Sequence, residues 1–338
     1  MTVTIAKPGF LGTVQDAGRP GFAHVGVGRA GAFDAPAHRL ANALADNRRD
    51  AAALEITLFG PTLHFASDCR IAVTGAPLPM RLDAAEVPMW APLSVRAGQR
   101  LSLGAMRVGC RAYLAIHGGF TLPTVLGSRS TDLNAAIGPL GGRPLRAGDT
   151  LETGGFEGEP GPSRNAMSDE RVRQSWSLNA HHWFEPDPNR PLRLLPGTHT
   201  ARLDDASRDA LFGTLFHVGL DSNRTGIRLE GPRLALATPA ELVSEGCVPG
   251  TLQLPPSGKP IVLGVEGPVT GGYPRIGQVA AVDLPRLAQR RPGDALRFTS
   301  CTFAEALQAL DARERALRRL EAAIALRLRG QVVKAGAE

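Results

Sequence analysis

A chain of 338 residues with 43% apolar and 21% charged side chains is long enough to bury two cores, which excludes wholesale disorder. Its 39 glycines and 27 prolines, set against 5% aromatics, favour short strands joined by tight turns over long helices. The net charge of +6 is carried almost wholly by arginines interleaved with Asp and Glu; without a basic run or stacking aromatics, no nucleic acid is expected as a partner, while an anionic substrate or an acidic protein partner suits the charge.

The four cysteines, Cys69, Cys110, Cys247 and Cys301, form no CxxC pair and have no His at zinc-ligand spacing, so buried thiols in a reducing compartment are expected, and no metal site. The opening Met1-Thr-Val-Thr-Ile-Ala lacks the blocks of a signal peptide, and no apolar run could span a membrane, so a cytoplasmic chain is expected.

In chain order, alternation predicts a strand over 2–6, stopped by Pro8-Gly9. Residues 15–33 read as loop. A helix follows, with Asp34 as cap, Pro36 in its first turn, and Leu40, Ala41 and Leu44 on one face. Strands are predicted over 54–58, 62–65, 70–74, 87–89, 100–103 and 111–116. The proline-containing stretch from 156 to 190 is linker-like. It divides an N-terminal β half (1–155) from a C-terminal β half (191–300), which a helix and tail (301–338) follow. The second half is expected to hold strands over 192–195, around 228–236, over 251–254 and over 261–265. Helices are expected near 204–212 and 284–289. Thr302 and Glu305 form a capping box for the last helix, whose apolar residues Leu307, Leu310, Leu317, Leu320 and Ile324 recur at helical spacing. The pattern R-x-G-[DQ]-x-L occurs from Arg96, Arg146 and Arg291, and predicts a turn with a left-handed glycine leading into a strand.

Walker, HExxH, GxSxG and kinase motifs are absent from the sequence. Four loops stand out instead. In Gln15-Asp-Ala-Gly-Arg-Pro-Gly21 and its continuation to Asp34, a turn-rich connection accounts for most residues, but Arg19 and Asp34 are charges set among glycines, where backbone approaches a ligand closely. Gly127-Ser-Arg-Ser-Thr131 offers Arg129 and hydroxyls to a carboxylate or phosphate, or else forms a surface turn with an Arg129–Asp132 pair. Ser222-Asn-Arg-Thr-Gly226 places Arg224 in a similar setting. The last loop combines Ser244-Glu-Gly246, Gln253 and Thr270-Gly-Gly-Tyr-Pro274. Gly271 and Gly272 permit a nest of backbone N–H groups for an anion, and Tyr273 can stack and donate a hydrogen bond. The alternative is a β-turn with a tyrosine plugging a barrel end. His117 and the pair His181-His182 are expected to be structural, and Cys247 has no activating His in its local sequence.

These segments carry a resemblance. Phe10-Leu-Gly-Thr-Val-Gln-Asp-Ala-Gly-Arg-Pro-Gly21, Arg39-Leu-Ala-Asn42, Ala53-Leu-Glu-Ile-Thr57, Val125-Leu-Gly-Ser-Arg-Ser-Thr131, Ser244-Glu-Gly246 and Thr270-Gly-Gly-Tyr-Pro274 resemble the biotin-dependent carboxyltransferase family, also called allophanate hydrolase subunit 2 or urea amidolyase-related. The match runs from about Pro8 to about Phe298. The resemblance implies a mainly β fold of two cyclophilin-like β-barrel units with a few helices. Stand-alone members of the family are mostly the C subunits of ATP-dependent 5-oxoprolinases, also described as KipA-like antagonists of a kinase inhibitor. Fused members form half of a urea carboxylase's carboxyltransferase domain. The activity implied is ATP-dependent opening of 5-oxoproline to L-glutamate, with the B (KipI-like) and A subunits as partners, ATP with Mg2+ in the complex, a small-molecule amide as substrate, and a chain inactive alone.

Carried onto the matched loops, Glu245, Tyr273 and Asp34 are the catalytic candidates. Arg129, Arg224, Gln253, Gly271, Gly272 and Arg19 are the substrate- or ATP-binding ones. Asn223 stands where the family often has Asp, and Val265-Glu-Gly-Pro-Val269 is close to the carboxylase-like form, which leaves 5-oxoproline and urea both open. The sequence has no Met-Lys-Met, so any biotin would arrive on another protein.

Overall fold

The computed structural model describes residues 1–154, 176–184, 187, 190–238 and 242–335, with side chains up to Arg329. The chain is mainly β, with a few helices, and divides into two compact units. The first comprises Met1–Gly18, Asp34–Glu185 and Ala316–Glu338, and the second Arg19–Phe33 and Pro186–Arg315. Neither is a continuous stretch of sequence. The 19–33 loop belongs with the second unit, and the helix Phe303–Ala335 passes from the second to the first at Ala316. Most of the stretch from 156 to 190, expected to be a linker, lies outside the described residues.

In the first unit, Arg111–Ile116 is the central element of a five-stranded antiparallel sheet, between Ala53–Thr57 and Cys69–Gly75. Every residue of that strand is buried, and the helix Ala35–Leu44 packs against it. The helix starts where the sequence places it. The Asp34 carboxylate accepts the Ala37 N–H at 3.1 Å, Pro36 sits in the first turn, and Leu40, Ala41 and Leu44 are fully buried. A second sheet of six strands runs, in spatial order, Thr150–Glu152, Thr2–Lys7, Thr62–Phe65, Arg100–Leu103, Met80–Leu82 and Ala85–Glu86.

The second unit is built on an eight-stranded sheet in which Leu192–Pro196 pairs in parallel with Phe298–Ser300 and every other ladder is antiparallel. Its core includes Leu192, Leu194, Phe216, Leu229, Leu252, Val262, Ile276 and Phe298. The last helix opens on the expected box. The Thr302 hydroxyl accepts the Glu305 N–H, and the Glu305 carboxylate accepts the Thr302 N–H.

Several boundaries differ from expectation for local reasons. Residues 87–89, which contain Pro88, are not a strand; the paired segments are Ala85–Glu86 before them and Leu93–Val95 after. Leu58 leaves the 53–57 ladder because it turns left-handed, φ +62°. The strand around 228–236 is Gly226–Glu230, cut by Gly231-Pro232. Leu11–Gln15, next to the region read as loop, pairs with Ala53–Thr57.

The repeated R-x-G-[DQ]-x-L segments adopt one turn three times over. Gly98, Gly148 and Gly293 have φ of +85°, +88° and +88°, each ahead of a strand. In each, the following side chain accepts the N–H of the arginine: Gln99 Oε1 from Arg96, Asp149 Oδ2 from Arg146 and Asp294 Oδ2 from Arg291, at 2.7–2.8 Å.

Candidate functional site

The centre of the candidate site is a two-stranded ribbon in the second unit. Glu245 pairs with Gly271 and Gly246 with Thr270, and the Cys247 N–H extends the pairing to the Val269 carbonyl at 2.8 Å. Beneath it lie two buried side chains, Cys247 and Gln253, with the Gln253 amide nitrogen 3.4 Å from the Cys247 sulfur. The expected nest of N–H groups does not form, because neither Gly271 nor Gly272 adopts a left-handed φ. Gly271 matters here for a different reason. A Cβ there would lie 2.5 Å from Gln253 Nε2 and 3.5 Å from Cys247 Sγ, so a larger residue would have to displace the Gln253 amide from this floor. Tyr273 follows at the ribbon's end, 46% exposed.

Arg275 joins the ribbon to the main sheet. Its Nη1 donates to the Gly246 carbonyl at 2.7 Å, and its Nη2 forms an ion pair with the Glu245 carboxylate. The backbone of Arg275 exchanges two hydrogen bonds with His199: the His199 N–H donates to the Arg275 carbonyl (3.0 Å), and the Arg275 N–H donates to His199 Nδ1 (3.1 Å). A backbone N–H only donates, so Nδ1 is unprotonated and the neutral ring carries its proton on Nε2. Burial lowers the His199 pKa below its ordinary value, against the opposing pull of Glu245, and so favours this neutral form. The Cys247 thiol is pushed up by burial, with Arg275 and the Gln253 hydrogen bond opposing, so it is held as a thiol and not as an activated nucleophile.

A second cluster, also in the second unit, surrounds Arg224. This residue is 3% exposed; its Nε meets Glu266 Oε1 at 2.5 Å and its Nη2 donates to the Gly31 carbonyl at 2.8 Å. The guanidinium charge is therefore answered inside the chain, and the bond to Gly31 holds the 19–33 loop, as does the Ala30 N–H to the Val265 carbonyl. Arg19 is buried in the same loop, its N–H donating to the Arg29 carbonyl. Asn223 closes its turn by accepting the Thr225 and Gly226 N–H groups.

The first unit holds the remaining candidates. Asp16, nearly buried, accepts the Ser128 and Ser130 hydroxyls at 2.6 Å each, together with the Arg129 and Gly18 N–H groups. The Arg129 side chain donates to the Leu122 carbonyl, while Asp132 caps its own turn at Asn134 and Ala135. Asp34 is buried at the helix start, and its N–H donates to the Tyr113 hydroxyl at 2.7 Å; that hydroxyl in turn donates to Glu55. Burial and the neighbouring Glu55 carboxylate raise the Tyr113 pKa well above its ordinary value, which keeps the phenol neutral and donating. His117 donates from Nδ1 to the Ala45 carbonyl at 2.8 Å.

The ribbon thus brings together Glu245, Gln253, Gly271, Gly272 and Tyr273. Arg224 and Arg19 belong to the loop cluster of the same unit, and Asp34 and Arg129 to the first unit. Sequence reasoning passed over Arg275, His199, Tyr113 and Asp16 as site-building groups. Among the described residues, no group of three or more His, Cys, Asp or Glu is placed to hold a metal ion, and no helix is long and apolar enough to cross a membrane.

Loops of this composition, displayed on barrel-like sheets, define a carboxyltransferase-type domain. The chain belongs to that family: the family model described as carboxyltransferase domain, subdomain A and B, matches residues 25–300. Within the family it is 41% identical to the C subunit of the Escherichia coli 5-oxoprolinase, over 92% of this chain and 95% of that one. It is 36% identical to the C subunit of the Haemophilus influenzae 5-oxoprolinase, over 87% and 89% of the two chains. Among solved structures, the K. lactis urea amidolyase superposes with a TM-score of 0.82 at 29% identity; it covers 94% of this chain, which spans only 20% of the amidolyase.

Proposed function

We propose that this chain is the C subunit of an ATP-dependent 5-oxoprolinase that opens 5-oxoproline to L-glutamate together with the A and B subunits, in the cytoplasm. The observation that carries the reading is identity of 41% sustained over nearly the whole of both chains with the Escherichia coli protein. Urea amidolyase shares the fold at lower identity and over a small part of its own length, which supports the urea reading less.

An unstrained five-membered lactam is a poor electrophile, so coupling to ATP gives the ring opening its driving force. Transfer of the terminal phosphoryl group to the amide oxygen activates the carbonyl carbon and releases ADP. Water then adds there, breakage of the C–N bond leaves γ-glutamyl phosphate, and a second water hydrolyses that acyl phosphate to glutamate and inorganic phosphate. On this chain, Glu245 at the exposed edge of the ribbon serves the water as acid–base group. Tyr273 offers a phenol and a ring face to the substrate. Gln253, buried beneath Gly271, shapes the floor. The internal pairing of Arg224 and the capping role of Asp34 favour support of the surrounding loops over direct contact with substrate.

The test is to purify the chain in complex with its A and B subunits and follow ATP hydrolysis with and without 5-oxoproline. Stimulation by 5-oxoproline, reduced in Glu245→Gln and Tyr273→Phe, is expected. An intact complex that 5-oxoproline does not stimulate refutes the reading. Biotin-dependent carboxylation of urea would replace it with the carboxylase one, and ATP-independent capture of a kinase inhibitor with the KipA-like one.

A further inference from the structure

We propose that Arg275 is the positioning residue of this site, a latch that closes the Glu245–Gly246/Thr270–Gly271 ribbon onto the Cys247–Gln253 floor and sets the direction of the Glu245 carboxylate. The catalytic consequence rests on the functional reading above; the latch itself does not.

A ribbon with two paired residues on each strand cannot hold itself in water. The Gln253 amide on the Cys247 sulfur and the Leu254 N–H on the Pro274 carbonyl also tie this region to the main sheet, but it is the fork of Arg275 that reaches the Glu245–Gly246 strand, one nitrogen on the Gly246 carbonyl and another on the Glu245 carboxylate. A planar guanidinium makes both bonds at once, whereas an ammonium in the same place satisfies one. Arg275 is itself held in place. It lies opposite Gln253 at a register shift in the ladder, the kind of irregularity that re-aims a side chain, and His199 brackets its backbone on both polar groups. Arg275 thus has a fixed base, and its far end decides where Glu245 points.

The buried thiol under the ribbon supplies a readout independent of catalysis. Cys247 and Cys301 are both nearly buried in the second unit, 7% and 8% exposed, but only Cys247 lies beneath the ribbon. In Arg275→Ala, the rate of N-ethylmaleimide labelling at Cys247 relative to Cys301, located by peptide mass spectrometry, is expected to rise about fivefold, the scale of one partly exposed ion pair. An unchanged ratio overturns the latch. If all four thiols label together, Arg275→Gln, which keeps one donor for the Gly246 carbonyl, is measured in its place with the same reading.

In the reconstituted complex, Arg275→Ala is expected to lower kcat with KM little changed, Arg275→Lys to restore part of the loss, and Glu245→Gln to cost little more once Arg275 is gone. Additive losses overturn the positioning role. A wild-type complex without 5-oxoproline-stimulated turnover would refute the functional reading alone, and the labelling ratio would still decide the latch.

Discussion

Replacing Arg224 separates two roles that its sequence context leaves open. A residue that holds substrate carboxylate or phosphate should be removable at little cost to the fold, with the loss appearing in KM. The structure predicts the reverse. Arg224 and Glu266 have side chains 3% and 2% exposed, joined at 2.5 Å, and Arg224 also donates to the Gly31 carbonyl. In Arg224→Ala, Glu266 keeps its burial but loses the guanidinium, and breaking a buried pair from one side costs about 3–5 kcal/mol. At roughly 2–4 °C per kcal/mol for a domain of this size, the second unit should melt about 6–20 °C lower. Arg224→Met combined with Glu266→Leu removes both charges and should recover most of that loss, since an apolar pair of similar volume is often neutral. The assay is thermal unfolding of wild type, Arg224→Ala and the double variant, read alongside KM for 5-oxoproline in the complex. A melting point for Arg224→Ala within about 2 °C of wild type, with KM raised, would refute the structural assignment and return Arg224 to the substrate.

Two further outcomes follow from the geometry. Gly271→Ala puts a Cβ 2.5 Å from Gln253 Nε2, so the Gln253 amide must move; a loss of about 1 kcal/mol in the second unit and lower activity are expected, and adding Gln253→Ala should relieve part of the stability loss in denaturant titrations. Asp149 receives two bonds from the Arg143 guanidinium, at 2.7 and 2.8 Å, and this holds its carboxyl below the ordinary 3.8, against a smaller effect of burial. A depressed folded-state pKa stabilises above the unfolded value and ceases to do so as pH falls through the folded one. The stability advantage of wild type over Asp149→Asn should therefore be level at neutral pH and shrink on acidification below 3.8; an advantage independent of pH would contradict the pairing.

The parts of the fold that could be read from the sequence were those with local causes. Asp34 and Pro36 start a helix by themselves, the Thr302–Glu305 box starts another, and the three R-x-G-[DQ]-x-L turns need only a left-handed glycine and one acceptor three residues from the donor. Elements whose boundaries depend on distant partners were less legible. Leu11–Gln15 is a strand because Ala53–Thr57 lies beside it, and residues 87–89 are not because Pro88 gives no ladder bond. The assignment of 19–33 to the second unit is likewise set by bonds far along the chain, Arg224 to Gly31 and Val265 to Ala30, which no local pattern encodes.

The same distinction governs the site. Glycines in Thr270-Gly-Gly-Tyr-Pro274 mark a place where backbone must come close, but two adjacent glycines are compatible with either a nest or a flat ribbon. What decides is Gln253, whose amide occupies the space beside Gly271 and comes from another strand. Arg275 was passed over because it follows the motif as an ordinary charged residue at the start of a strand, and His199 because it lies 76 residues away from the N–H it accepts. Charges that look available in the sequence, Arg224 and Asp34, are the ones the fold engages internally, while the catalytic candidate Glu245 stays exposed on the ribbon, paired with the half-buried Arg275 that local sequence does not single out. For a chain proposed to work only alongside other proteins of one complex, that is a consistent arrangement: the buried pairs fix the loops, and the groups left at the surface are those to which a substrate and a protein partner have access.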